Sequence, residues 1–339
     1  MKRISFIICP LFFAACSLID DNLSLCSEKL ILDYELQLHT ELSMQLQTEL
    51  VTDVEMPVRN ALTGWLAPIF TDKAKDVDLR FFSTDTDELR RLIQEEINDS
   101  RTSYTFQLPK ENYMHLGVAN IHDNHQVVLS EAAHAATMEL VATETDELPS
   151  FSMGVFTARK HMEIGDTSQQ FDVHLYMATC AVAVVIDTTT CDSLVSLRGM
   201  MSGTASSFSV RDSVYHYNGR HHLVFDEVLI SEPVAAQRHR APRADTARLF
   251  SCMATSGFPT EEGKSWSVVI TATLTDNRHT RTTLKIDEPV RAGTLRILRA
   301  HMDATGGIQP DKKDGEDGQH VGATVELDWK EGDNHDVEI

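Results

Sequence analysis

Basic residues are scarce in this chain of 339 residues, which has 30 Lys and Arg against 51 Asp and Glu. The formal net charge of −21 argues against a nucleic-acid-binding protein, which would need a surface rich in Lys and Arg to neutralise phosphates. Membrane-spanning runs are also missing, because no apolar stretch approaches the roughly 20 residues that cross a bilayer. Hydrophobic residues still make up 42% of the chain, which is enough for packed cores rather than wholesale disorder.

Familiar catalytic motifs are absent as well. The sequence contains no GxSxG, no P-loop, no GxGxxG and no HExxH. The adjacent histidines His221 and His222 would face opposite sides of a strand, and the acidic segment Asp311–Gly318 lacks EF-hand spacing. We therefore predict a protein that is not an enzyme, with no cofactor, no metal site and no small-molecule substrate.

The N-terminus has the features of an export signal. Lys2 and Arg3 form a short positive region, a mostly apolar run follows from Ile4 to Phe13, and two alanines then precede Cys16. This arrangement predicts a signal peptide over residues 1–15 and a lipobox in which the Cys16 thiol takes a diacylglyceryl group. Several acyl chains on one residue anchor a protein stably, whereas a single chain is marginal. The alternatives are an ordinary signal peptide that a cysteine follows by coincidence, and a cytosolic protein with an apolar start.

Cysteines are few in the predicted mature chain. After Cys16 four remain, Cys26, Cys180, Cys191 and Cys252, and they contain no CxxC spacing that would suggest a zinc or thioredoxin-type site. Four cysteines allow three full disulfide pairings, and the sequence leaves the choice open. Cys180 lies in an apolar run and is interpreted as a small buried hydrophobe.

Hydrophobic periodicity predicts a mainly β protein. Lys29–His39 alternates strictly between apolar and polar residues, which predicts a strand with one buried face. Pro57 then opens a helical spacing, so a short helix is expected from about Met56 to Phe70. The stretch from His122 to Pro149 shows no sustained period and is interpreted as irregular structure.

The remaining strand patterns are separated by turn signals at short intervals, as in β-sandwiches. They are centred on Val77–Phe81, Tyr104–Leu108, Met114–Val118, Met153–Thr157, Phe171–Leu175, Ala181–Ile186, Leu194–Leu197, Ala205–Val210, His222–Phe225, Leu249–Met253, Trp266–Leu274, Thr282–Ile286, Thr294–Leu298 and Val321–Trp329. A polar stretch around Gly165 suggests a boundary. We expect a lipidated N-terminus and linker over 16–26, a first β-sandwich over 27–165 and a second over 166–339.

Several of these segments share a pattern with one known family. After Cys16 come the strand Leu32–Leu36, the segments Val77–Phe82 and Tyr113–Asn120, and the closing strand Val325–Trp329. In this order they resemble the fimbrillin-A-associated anchor family of Bacteroidales, the anchoring subunits of major and minor fimbriae. The resemblance spans nearly the whole mature chain.

The resemblance implies both a fold and a role. The fold is two transthyretin-like β-sandwich domains in tandem, with a short helix in the first. The role is a non-enzymatic one at the outer membrane, where a surface-exposed lipoprotein held by Cys16 anchors a fimbrium. Its partners would be fimbrial subunits, bound by β-strand addition, in which backbone hydrogen bonds give affinity and alternate side chains give specificity.

Two alternatives remain open at this point. Polymerising fimbrial subunits of this kind are cut at an arginine, but no Arg lies between Cys16 and Arg59, which favours an anchor over a shaft or tip subunit. A surface lipoprotein that binds glycan or host protein would instead need exposed aromatic side chains. Tyr215 and Tyr217 are the one local pair of aromatics that could supply them.

Overall fold

The computed structural model describes residues 29–39, 55–71, 73–96, 103–130, 136–165, 169–230, 250–311 and 321–328. Within them the chain forms one α-helix and many strands in four sheets, so the predicted mainly β fold class is confirmed. No helix in this part of the chain is long and apolar enough to cross a bilayer.

The helix is α1 (Met56–Leu66). The strands, in chain order, are β1 (Lys29–His39), β2 (Asp76–Ser83), β3 (Leu89–Glu96), β4 (Ser103–Pro109), β5 (Asn112–Ala119), β6 (Val127–Leu129), β7 (Thr137–Leu140), β8 (Glu147–Leu148), β9 (Phe156–Glu163), β10 (Gln169–Met177), β11 (Cys180–Asp187), β12 (Leu194–Ser202), β13 (Ser207–Ser209), β14 (Val214–His216), β15 (His222–Val224), β16 (Asp226–Val228), β17 (Phe250–Gly257), β18 (Trp266–Leu274), β19 (His279–Ile286), β20 (Leu295–Met302), β21 (Ile308–Pro310) and β22 (Val321–Asp328).

A seven-stranded sheet forms one layer, in the order β3-β2-β5-β9-β10-β1-β4. The alternating segment Lys29–His39 is strand β1 over its full predicted length. It lies inside the sheet, parallel to β10 on one side and antiparallel to β4 on the other. The N-terminal strand is therefore an integral part of this sheet.

The helix packs its apolar side onto the seven-stranded sheet. Val58, Leu62 and Leu66, spaced by four, are fully buried in the same core as Val77 and Phe81 of β2. Pro57 lies in the first turn of the helix, where a backbone N–H would have no partner within the helix, so its absence in proline costs nothing. The helix ends at Leu66, earlier than the predicted Phe70, because Pro68 follows and the chain turns over residues 67–70.

Two further sheets form the second sandwich. A five-stranded sheet has the order β16-β17-β11-β20-β21, and a six-stranded sheet has the order β22-β19-β18-β12-β15-β8. Strand β11 is buried on both faces, as its continuous run of Val and Ala predicts. Ala181 and Val185 contact the core that contains α1, whereas Val182 and Val184 contact the core facing the six-stranded sheet. The five-stranded sheet is therefore a middle layer shared by two hydrophobic cores.

Strand pairing crosses the boundary predicted at residue 166. Strand β10 begins after it, at Gln169, yet pairs with β9 and β1 in the first sheet. The polar stretch around Gly165 connects two neighbouring antiparallel strands, so by pairing it lies within the first sheet. After β10 the chain enters the five-stranded sheet at Cys180, where β11 begins, although β6, β7 and β8 belong to other sheets earlier in the sequence. A division into two separately folding units stays a prediction.

The prediction of irregular structure from His122 to Pro149 was wrong. This region contains β6, β7 and β8, and the first two join β13 and β14 in a four-stranded sheet. Val127, Met138 and Phe208 of that sheet cover the second face of the seven-stranded sheet, where they pack with Phe82 and Leu116. The strands are short, two to four residues long, and so show too few repeats for a visible period.

One buried ion pair lies on the second face of β2. Arg80 Nε donates to Asp78 Oδ1 at 2.7 Å, and Arg80 Nη2 donates to Asp78 Oδ2 at 3.2 Å. The two side chains are only 8% and 2% exposed. Gln94 Nε2, from the neighbouring edge strand β3, donates a third hydrogen bond to the same carboxylate at 2.7 Å. The pair is thus bidentate and largely shielded from water.

Candidate functional site

The predicted lipidation site, Cys16, lies outside the residues that the structure describes, and so does Cys26. Of the acidic segment Asp311–Gly318, the structure describes only Asp311. Lipidation therefore stays a prediction, and the structure bears instead on the surfaces through which the body could bind a partner.

Three of the four remaining cysteines are buried free thiols. Cys180, Cys191 and Cys252 form no disulfide in the described part of the chain, although the sequence left their pairing open. Burial raises the pKa of Cys180 and of Cys252 to about 12, because an apolar surrounding disfavours the thiolate. Cys180 is 2% exposed, which confirms its interpretation as a small buried hydrophobe.

No group of histidines and carboxylates in the described ranges could hold a metal ion. His221 Nε2 lies 2.7 Å from Thr204 Oγ1, and burial lowers the pKa of His221. A second buried histidine, His115, was not singled out by sequence reasoning. Its ring stacks on Phe81 at 4.3 Å, and its Nδ1 lies 3.0 Å from the carbonyl oxygen of Arg80. Burial lowers the pKa of His115 to about 4, so the ring is neutral at physiological pH.

The aromatic pair that a glycan-binding face would use is packed inward. Tyr215 contacts Phe208 at a ring-centroid distance of 4.3 Å, and its hydroxyl donates to the carbonyl of Ala178 at 2.8 Å. The Tyr217 hydroxyl donates to the carbonyl of Thr260 at 3.3 Å. Both rings are half-buried against the core beneath the four-stranded sheet. Neither is available as a flat, exposed stacking surface.

An open strand edge lies in the second sandwich. Strand β12 pairs with β18 from Leu194 to Ser202 on one side, with a β-bulge at Val195 where the register shifts, but on the other side it pairs with β15 only at Met200 and Met201. After β15 the chain leaves the six-stranded sheet and enters the five-stranded sheet as β16. In the described residues no strand therefore lies beside Leu194–Arg198 on that side. We call this segment the open edge of β12.

A cavity of about 520 Å³ adjoins the open edge. Leu197, Phe225 and Met253 contribute apolar walls from the facing sheets. Gly199 marks the end of the open edge, since a Cβ atom there would lie 2.5 Å from the sulfur of Met253 and 3.1 Å from the ring of Phe225. The two sheets thus pack closely together at Gly199.

Among the described residues, the cavity walls carry acidic but no basic side chains. Asp192, before β12, and Glu227, in β16, both line it, whereas no described Lys, Arg or His does. Val195, on the open edge itself, is 60% exposed at the bulge where the register of β12 and β18 shifts. The surface therefore combines unpaired backbone, an exposed apolar side chain and negative charge.

Other edges differ from this one. Strand β3 is an edge of the seven-stranded sheet, and it carries four charged side chains in Leu89–Glu96 with nearly every residue exposed. Charge on an edge strand discourages further pairing. The open edge of β12 has a single charged residue, Arg198, and that residue forms an ion pair with Glu147 at 2.6 Å.

Comparison with known proteins shows which fold the chain has. No family model and no curated protein matches the sequence. Among solved structures, a "putative adhesin" from Bacteroides ovatus superposes with a TM-score of 0.51 at 10% identity, over 87% of this chain and 96% of that one. The chain shares the fold of this adhesin. This chain is also similar to the fimbrial anchor protein Mfa2 from Porphyromonas gingivalis, with a TM-score of 0.49 and 10% identity over 80% of this chain and 90% of that one. A third similar structure is a protein of the DUF1812 group from Bacteroides thetaiotaomicron, with a TM-score of 0.49 and 10% identity over 85% of this chain and 100% of that one.

The shared fold with the Bacteroides ovatus protein extends over nearly all of both chains, so it includes the seven-stranded sheet and the second sandwich together. It agrees with the β-sandwich architecture that the family resemblance implied. At 10% identity the agreement concerns the path of the backbone and not the residues of any site.

Proposed function

We propose that this chain is an outer-membrane lipoprotein that anchors a fimbrium at the cell surface. Acyl chains on Cys16 hold it to the membrane, and its β-sandwich body binds a fimbrial subunit by strand addition. The observation that carries the proposal is the lipobox cysteine placed directly before a body with an adhesin fold. The resemblance to the fimbrial anchor family supports the same role.

The position of β1 supports an anchor that keeps its N-terminus. Because β1 lies between β10 and β4, a cut at Arg59 would remove an interior strand and leave β4 without its neighbour. Arg59 itself lies within α1, whose buried side chains fix it to the sheet. Maturation by cleavage at this arginine, as in a polymerising subunit, would therefore disrupt the first sheet.

The glycan-binding alternative has less support. Tyr215 and Tyr217 are committed to the core by their packing and hydrogen bonds. Among the aromatic residues whose side-chain burial the structure describes, Tyr176 is the one with a largely exposed ring, and a stacking platform for sugars needs more than one such ring. We therefore keep this alternative second.

The test of the proposed function is the variant Cys16→Ala, with Cys26→Ala as the matched control. We expect Cys16→Ala to release the protein and its fimbriae into the medium, because no other strong membrane affinity is present in the sequence. Cys26→Ala should leave both on the cell. The assay is fractionation of cells with immunoblotting of the protein and counting of attached fimbriae.

Two results would contradict the proposal. One is a Cys16→Ala protein that loses its signal peptide and nevertheless stays in the membrane fraction. The other is wild-type protein from cells whose N-terminus lies downstream of β1, since such a protein could not be lipid-anchored at Cys16.

A further inference from the structure

The open edge of β12 has the backbone requirements of an acceptor for another strand. A strand that is paired on one side only presents alternate N–H and C=O groups outward on the other. On β12 this regular alternation holds from Ser196 onward, beyond the bulge at Val195, directly in line with β15, which ends at Val224. A strand placed beside Leu194–Arg198 would continue the row that β15 begins.

The length of the open edge suits a short extended segment of a partner protein. Five residues in a strand span about 17 Å at roughly 3.3 Å per residue. Alternate side chains of an added strand would point to opposite faces, so one set would enter the cavity bounded by Leu197, Phe225 and Met253. The elongated backbone edge favours a peptide strand over a small molecule.

Charge indicates which strand would bind. Asp192 and Glu227 line the cavity, and no basic residue of the described ranges lines it, so a strand with Lys or Arg at an adjacent position is complementary. A second copy of this chain fits poorly. The chain has a net charge of −21, and a symmetric contact would bring the same acidic lining of both copies together.

We infer that the open edge of β12 is the site where a fimbrial subunit adds an extended strand, with apolar side chains facing the cavity and a basic side chain facing Asp192 and Glu227. This inference rests on the proposed function and names the acceptor within it. Binding combines backbone pairing to Leu194–Arg198 with burial of Val195 and the apolar walls.

The direct test is site-specific photo-cross-linking in cells. p-Benzoylphenylalanine replaces Val195, and the matched control carries it at Val214, an exposed valine on edge strand β14 of another sheet (45% exposed, against 60% for Val195). We expect irradiation to join position 195 to a fimbrial subunit, at an extended segment that contains Lys or Arg. Position 214 should give no such product.

A second arm measures function with charged variants. Val195→Arg places a positive charge in the path of the added strand and should cause loss of attached fimbriae, whereas Val214→Arg should retain them. In both variants the protein itself should stay in the membrane fraction. Asp192→Asn and Glu227→Gln should each lower the cross-linking yield by about two- to fivefold, the range expected for a single exposed ion pair.

The results of these experiments distinguish a failure of this inference from a failure of the proposed function. Cross-links from position 195 to a second copy of this chain, or to residues 231–249 of the same chain, would overturn the inference. So would a Val195→Arg variant that folds normally and keeps its fimbriae. In that case the Cys16→Ala result would still decide whether the protein is an anchor.

Discussion

Removal of the Arg80 guanidinium should lower the free energy of unfolding, because it leaves a buried carboxylate without its counter-ion. In Arg80→Met the Asp78 side chain, 2% exposed, keeps only the hydrogen bond from Gln94. Loss of one partner from a buried ion pair typically costs about 3–5 kcal/mol, because the remaining charge has neither water nor a counter-ion. We expect the free energy of unfolding to fall by about this amount.

The matched control is an exposed pair with the same bond length. Arg291 Nη2 lies 2.7 Å from Glu262 Oε1, but these side chains are 73% and 76% exposed. Arg291→Met should change the free energy of unfolding by at most about 1 kcal/mol, because water replaces the lost partner. The shortest N···O distance is 2.7 Å in both pairs, so the comparison sets a buried, bidentate pair against an exposed one.

The assay is urea unfolding followed by far-ultraviolet circular dichroism. For a urea slope of about 3 kcal/mol per M, Arg80→Met should lower the midpoint by on the order of 1 M. The double variant Asp78→Leu with Arg80→Met should recover most of the loss, because it leaves no buried charge and the exposed Gln94 can turn to water. Equal midpoints for Arg80→Met and Arg291→Met, or no recovery in the double variant, would refute the reasoning.

Two further predictions concern packing and pH. Gly154→Ala places a Cβ atom 2.0 Å from the carbonyl oxygen of Ile69 and should destabilise the protein by about 1–3 kcal/mol. Gly64→Ala, in open space on α1, should stabilise it by about 0.5–1 kcal/mol. Thermal unfolding of both variants checks this prediction, and equal shifts in the unfolding temperature would contradict it. The pKa of His115 is about 4 in the folded protein and about 6.5 when unfolded, so the unfolded chain binds more protons between these values and stability should decrease as the pH falls through this window. His115→Asn keeps a donor for the Arg80 carbonyl but does not titrate, so it should reduce the pH slope of the unfolding free energy by up to about 1.4 kcal/mol per pH unit, and an unchanged slope would count against this explanation.

Strict periodicity made some elements predictable from sequence. Lys29–His39 and Trp266–Leu274 were predicted at the bounds that the structure has, because both alternate over nine residues or more. Strand β3 was missed, since Leu89–Glu96 is exposed on both faces and has no apolar side to produce a period. Short strands such as Val127–Leu129 offer too few residues for any pattern to appear.

Strand partners were less predictable than the strands themselves. The polar residues at Gly165 are typical of a connection between domains, but they equally suit a turn between β9 and β10. The same limit applies to the candidate acceptor. Leu194–Leu197 was predicted as a strand, yet its open edge depends on where β15 ends and β16 joins another sheet, which are pairings between residues distant in sequence.

The interior position of β1 also determines how the body would respond to mechanical tension. A pull on the chain before Lys29 runs along β1, which is bonded through eight residue pairs to β10 and seven to β4. Backbone hydrogen bonds lie across the strand direction, so such a pull loads both rows in shear and all at once, whereas a terminal strand at a sheet edge could peel away bond by bond. The point where a membrane tether would meet the folded body is therefore reinforced by main-chain pairing on both sides, and its resistance to force does not depend on any single side chain.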